Sequence, residues 1–300
     1  MSAELATITT IVGEIALALH PILIKQLHTS LPTQLLSRMG VYTVLASSLA
    51  SENDRTLTWG SNKAIAQSLG FGLINLVHIA TSFLSYELLP AGSALAIFYT
   101  YPFFNILLGV LFLGDSFDLK TIPLLVMAFV GVIMIANYTK EGKEEQNGKV
   151  KEGQAENAGN YKIALGVGAA LVAAITETLI FLVAKTAEGS SPFIPILRLY
   201  PAAFLGIIAW IFFKGAPISR DSSVWIPMML FNVFIGFLGY FLRFFSIPRL
   251  PTAIFSILTF IGVAAGYGWG LIYAKEVPSL GALGGAGLIT ASLGILRYIK

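Results

Sequence analysis

The chain has 300 residues, of which 56% are hydrophobic and only 12% charged, with a mean hydropathy of +0.78. A soluble domain carries about a quarter charged residues, so a soluble globule is excluded. The formal charge of +3 does not imply nucleic acid, because no basic cluster interleaved with aromatics lies outside one segment whose acids match its bases. The chain has no Cys, which removes disulfides, thiolate metal sites and Cys nucleophiles.

Apolar runs of about 20 residues, each able to cross a hydrocarbon core about 30 Å thick, recur along nearly the whole chain. They fall at 5–27, 33–50, 64–86, 91–113, 119–137, 163–186, 193–213, 223–246, 251–273 and 279–297. Lipid cannot satisfy backbone polar groups, so these runs are helices. They are continuous rather than alternating, which argues against a barrel. The expected fold is an all-α membrane protein with ten transmembrane helices. The first basic residue is Lys25, too late for the basic n-region of a cleaved signal peptide, so the first run is expected to stay as a span.

Ionisable and polar groups inside such spans are costly unless they face a cavity or a partner, so each is a site candidate. In the first run Glu14 lies nine residues past Leu5, about 13 Å along a helix and close to the midplane. It reads either as a protonatable or amine-binding carboxylate, or as a structural acid paired with an Arg. His20-Pro21 reads first as a hinge, since Pro frees a carbonyl. Arg38 in the second run and Arg198 in the seventh read as anion-capturing or gate-pairing groups, or as side chains snorkelling to the headgroups. Lys25, Lys185 and Arg243 read as interface anchors. Asn75, His78 and Ser82 share one face of the third run.

The fourth run, from LPAGSALAIFYTYPFFNILLGVLFLGD, carries Tyr99, Tyr101 and Asn105 at its centre, and Pro102 reads as a flex point. After the fifth run, NYTKEGKEEQNGKVKEGQAENAGNYK (137–162) holds five Lys and five Glu with almost nothing to bury, the composition of a flexible linker. The sixth run carries Glu177. The ninth has a Gly262, Gly266, Gly270 stripe, read as close helix packing or as room beside a cavity. Gly281 and Gly285 in the last run fit internal packing or a homodimer equally well.

The linker separates two blocks of five runs that match each other. An offset of 160 pairs Lys25 with Lys185, Pro32 with Pro192 and Arg38 with Arg198. An offset of 161 pairs Leu89-Pro90 with Leu250-Pro251, Gly109 with Gly270 and Asp115 with Glu276. Residues 1–137 and 163–300 thus read as repeats joined by 138–162. A five-helix unit ends on the side opposite its start, so its copy enters inverted, the arrangement of secondary transporters with a site near the midplane.

Five-plus-five helices, an acid after Gly114 or Lys275, and closing spans AFVGVIMI and ASLGILRY together resemble the drug/metabolite transporter superfamily, in its EamA-domain branch. Asp115 departs from the Glu common there. The resemblance implies a central cavity lined by the first four helices of each half, with the fifth and tenth as outer supports and both termini inside. Loop Lys and Arg counts do not themselves set an orientation.

The function expected is a secondary transporter, an exporter of small metabolites such as amino acids or of amphipathic drugs, in the plasma membrane. Its partners would be a small-molecule substrate and the bilayer, and no cofactor is implied. The candidate substrate-binding residues are Glu14, Arg38, Asn75, His78, Tyr99, Tyr101, Asn105, Glu177 and Arg198. No basic pair closes the ninth run, which weighs against the organic-phosphate and nucleotide-sugar translocators of the superfamily. A channel or receptor is a further alternative. The chain lacks Walker A, HExxH and GxSxG patterns, so neither direct ATP use nor an embedded enzyme is expected.

Overall fold

The computed structural model describes residues 3–20, 29–89, 94, 97–115, 118–144, 156–273, 279–296 and 298, without the side chains of 87, 136–144, 156–160 and 190. Pro21, Lys25, His28, Pro90, Lys275, Glu276, the middle of the linker and the basic groups Arg297 and Lys300 lie outside the described residues.

Among the described residues every regular element is helical, and a helix covers part of each apolar run. In chain order they are α1 Ala3–Leu17, α2 Leu31–Leu49, α3 Glu52–Trp59, α4 Asn62–Leu88, α5 Tyr101–Leu108, α6 Ile122–Glu144 and α7 Glu156–Lys185. There follow α8 Phe193–Lys214, α9 Ser222–Phe231, α10 Leu238–Ser246, α11 Thr252–Thr259, α12 Ile261–Tyr273 and α13 Leu280–Leu296. Five stretches are long and apolar enough to cross a membrane: Asn62–Tyr86, Tyr161–Lys185, Phe193–Lys214, Ser222–Arg249 and Thr252–Tyr273. Tyr101–Leu113, Leu119–Ile135 and Leu280–Leu296 are shorter apolar helices. Phe212 and Phe213 are 80% and 81% exposed and Leu280 is 88% exposed, an outer surface that suits lipid and not water.

Three local features depart from the sequence reading. The loop after α2 contains the extra helix α3, begun by a capping box in which Ser51 and Asp54 bond each other's backbone N–H groups; two otherwise orphaned donors are thereby satisfied. The fourth run is not one helix: the Thr100 N–H bonds the Ile97 carbonyl at 3.1 Å and α5 starts afresh at Tyr101. Pro102 therefore occupies a first turn, where its missing N–H costs nothing, rather than a flexing interior. Finally, the chain makes π-helical turns at Gly109–Leu113 and Asn232–Phe237. The first ends at Gly114 with φ 67°, a left-handed residue that glycine adopts without strain.

The chain forms two compact units. One comprises Met1–Leu76 with Leu179–Pro251, the other Val77–Thr178 with Thr252–Lys300. Each therefore draws on both sequence halves. In the first, α1 packs on α10 and α2 on α8; in the second, α5 packs on α11 and α6 on α13. Glycine lets these backbones meet. A Cβ on Gly13 would lie 3.1 Å from the Gly239 carbonyl, and one on Gly131 only 2.5 Å from that of Gly285. Such close approach supplies the van der Waals contact that holds helices together where no hydrophobic drive separates helix from lipid.

Candidate functional site

In the first unit the Gly13–Gly239 approach brings the next side chains of α1 and α10 together. Glu14 Oε1 lies 3.2 Å from Arg243 Nε, and the two residues are only 3% and 6% exposed. One turn before Glu14 on α1, the Thr9 hydroxyl meets that of Ser246 at 2.8 Å. Of the two roles the sequence left open for Glu14, this geometry is that of an acid paired with Arg. Arg243, read as an interface anchor, is buried instead. Lys185 donates its Nζ to the carbonyls of Ile247 and Leu250, closing the end of the α10 segment.

A second group in this unit surrounds Arg38. Its Nη2 donates to the Tyr240 hydroxyl at 2.8 Å. The guanidinium carbon sits 5.2 Å from the Tyr240 ring centre and 5.8 Å from that of Tyr42. Tyr200 completes the cluster, 4.7 Å from Tyr42 between ring centres. Such faces attract a cation through the ring quadrupole. The Nε of Arg38 is buried without a hydrogen-bond partner among the described residues, as is Nε2 of His20, whose ring stands edge-on to Phe231 at 5.0 Å. Among those residues no carboxylate pairs with Arg38. The π-turn Asn232–Phe237 supports this group: Asn232 donates to the Ser37 hydroxyl at 3.0 Å, and Phe237 stacks edge-on against Tyr42 at 5.9 Å.

Asn75 and Arg198 belong to the first unit but lie apart from that cluster. Asn75 is buried and donates to the Leu199 carbonyl at 3.1 Å, tying α4 to α8 two residues before Pro201. Arg198 is 8% exposed, with Glu188 as the acid acting on it.

In the second unit His78 and Glu177 meet. Nε2 of His78 is 3.4 Å from Glu177 Oε2, while Nδ1 lies 3.1 Å from the Ala173 carbonyl and 3.3 Å from the Thr176 hydroxyl. Phe98 packs 6.0 Å from the imidazole and 5.6 and 5.1 Å from the rings of Tyr99 and Tyr101. Tyr99 in turn reaches Phe260 of the α11–α12 junction at 5.9 Å. One turn beyond Tyr101, Asn105 is 0% exposed, and neither its amide nitrogen nor its oxygen has a hydrogen-bond partner among the described residues. A buried primary amide left so is uncommon and asks for an explanation. At the far end of this segment the Thr252 hydroxyl donates to Asp115.

The structure thus divides the candidates into an α1–α10 ion pair, an arginine–tyrosine cluster, and an α4–α7 acid–base pair beside an aromatic segment. Sequence reading missed Tyr42, Tyr200 and Tyr240, whose apolar neighbours concealed them. A signal was available: Tyr42 lies one helical turn after Arg38, on the same face.

Five helices long and apolar enough to cross a membrane, three shorter apolar helices and a lipid-compatible surface define a multi-pass helical membrane protein. Residues 4–137 match the family model described as the EamA-like transporter family, a family of membrane transporters within the drug/metabolite transporter superfamily to which that segment is similar. A solved crystal structure of a protein 12% identical superimposes with a TM-score of 0.76, covering 99% of this chain and 98% of that one; at that identity the likeness concerns the fold alone. A comparison with curated proteins returns no match.

Proposed function

We propose that the chain is a secondary transporter of the plasma membrane, exporting a small metabolite that bears a carboxylate, such as an amino acid, or an amphipathic drug, by alternating access of two inverted five-helix repeats. Helices at equivalent places in the two halves pack on one another, α2 with α8, α5 with α11 and α6 with α13, as a twofold relation between the halves would require. The observation that carries the substrate class is Arg38. An intramembrane cation is expensive, and here it is held by aromatic faces and a phenol rather than by an acid, so part of its binding capacity stays available to a substrate anion. Arg also offers the bidentate fork that matches a carboxylate.

Counterflow of radiolabelled amino acids in proteoliposomes tests this. The wild-type chain shows saturable exchange, and Arg38→Ala loses it at least tenfold while Arg38→Lys retains a part. Equal exchange by Arg38→Ala would overturn the substrate assignment, and exchange of sugar phosphates in place of amino acids would favour the translocator reading.

A further inference from the structure

We infer that His78 and Glu177 form the proton-coupling site of this transporter, a reading that rests on the transport function proposed above and adds its driving ion. The argument starts from the imidazole's two nitrogens. A carbonyl oxygen only accepts, so a hydrogen bond from the imidazole to Ala173 at 3.1 Å takes the tautomer with its proton on Nδ1, and the Thr176 hydroxyl beside it donates to the Val172 carbonyl. A neutral imidazole in that form carries a lone pair on Nε2, with a carboxylate oxygen 3.4 Å away. Two lone pairs facing at that distance repel. In that tautomer the contact needs one further proton, held on Nε2 of an imidazolium or on Oε2 of a carboxylic acid. Both forms are neutral as a pair, and both set a donor opposite an acceptor.

Losing that proton to water breaks one N–H or O–H bond and leaves a net charge of −1 on two residues that are 6% and 2% exposed. Such a charge is unfavourable in a dry interior, so release is tied to a conformation that admits water to the pair. The site thereby links protonation to a change of shape, the property coupling demands. The groups beside it include the Thr176 hydroxyl on α7 and the ring of Phe98 with those of Tyr99 and Tyr101 behind it, while the Ser82 hydroxyl one turn along α4 donates to the His78 backbone carbonyl at 2.7 Å. Phenols ionise in water only near pH 10, which makes them poor carriers of an exchangeable proton beside the pair.

The contrast with Glu14–Arg243 sharpens the assignment. In each unit an acid on the first helix of one half meets a base on the third helix of the other: α1 with α10, α7 with α4. One base is guanidinium, which keeps its charge at every accessible pH, so that pair is complete without a mobile proton. The other is imidazole, the side chain suited to exchange near neutrality. Of the two pairs, only the second can load and unload.

Two measurements on the full chain decide the matter. In proteoliposomes with entrapped pyranine, an imposed pH gradient should raise wild-type amino-acid accumulation severalfold above counterflow and move protons with it. In His78→Arg, which rebuilds the second pair in the image of the first, accumulation should fall to the counterflow level, whatever rate of counterflow remains. A gradient response surviving in His78→Arg, or absent from the wild type while counterflow persists, overturns the inference. If wild-type counterflow itself is absent, the transport reading fails instead, and nitrogen-15 NMR of the His78 ring in nanodiscs still tests the pair. Nδ1 should stay protonated while Nε2 titrates in a single step that Glu177→Gln abolishes or displaces. Titration at Nδ1, or indifference to Glu177→Gln, would refute the shared proton.

Discussion

Replacing Arg243 by Met removes the base from the buried pair with Glu14 and nearly preserves volume. At 3.2 Å and an effective dielectric of about 20, the lost attraction is about 5 kcal/mol. A second route limits the damage, because the stranded carboxyl can bind a proton. From an ordinary Glu value of about 4.3, neutralisation at pH 7 costs about 3.7 kcal/mol. The expected loss of stability is therefore about 3–4 kcal/mol at pH 7, in line with truncated buried pairs. Because protonation is the route taken, the loss shrinks on acidification, to about 1 kcal/mol at pH 5. Adding Glu14→Gln removes the stranded charge, and the double variant should recover all but about 1 kcal/mol. Reversible unfolding of the full chain in mixed micelles, titrated with SDS at pH 7 and pH 5, measures each quantity. A pH-independent loss below 1 kcal/mol, or a double variant no better than the single, would refute the burial argument.

Gly131→Val should destabilise by at least about 1–3 kcal/mol in the same assay, because its Cβ would press on the Gly285 carbonyl; Gly168→Val, with nothing within 4 Å, should be near neutral. Thr252→Val removes the hydroxyl donor from Asp115 and should cost about 1–3 kcal/mol, with Asp115→Asn in the same background recovering part of it. Asp221 caps α9 outside the spans, and the Ser223 bonds hold its carboxyl below the usual range. Its stabilisation is present above about pH 4 and lost as pH falls through the lowered value. The Ser223 amide resonance should follow that transition and lose it in Asp221→Ala.

The helices were legible because lipid leaves the backbone no alternative, so long apolar runs suffice to locate them. Their interruptions were not. The break before α5 lies at the polar centre of the run, and the clue to it was that Pro102 is welcome in a first turn and costly in an interior. The π-turns carry no residue pattern of their own. The helix α3 did carry one, Ser51 followed three positions on by Asp54, but in a polar loop it resembled a surface connection. Of the site, Glu14, His78 and Glu177 stood out one by one as polar groups in apolar surroundings. What the sequence withheld was their partners, since α4 and α7 are joined only through tertiary packing.

The two acid–base pairs show how far the repeat itself can be read. The halves align at offsets of 160 and 161, yet Glu14 and Glu177 are 163 positions apart, and His78 and Arg243 are 165 apart. Alignment sets Glu14, Glu177, His78 and Arg243 against Ala174, Leu17, Gly239 and Ser82, so neither pair appears as a match. A shift of three or four residues is about one helical turn and leaves a side chain on the same face. Packing between helices is sensitive to the face, not to the register along it, so an acid and a base displaced by a turn can restore the same kind of contact. What the two units share is thus a helix-to-helix relation rather than a residue pair. One unit fills that relation with a guanidinium and the other with an imidazole.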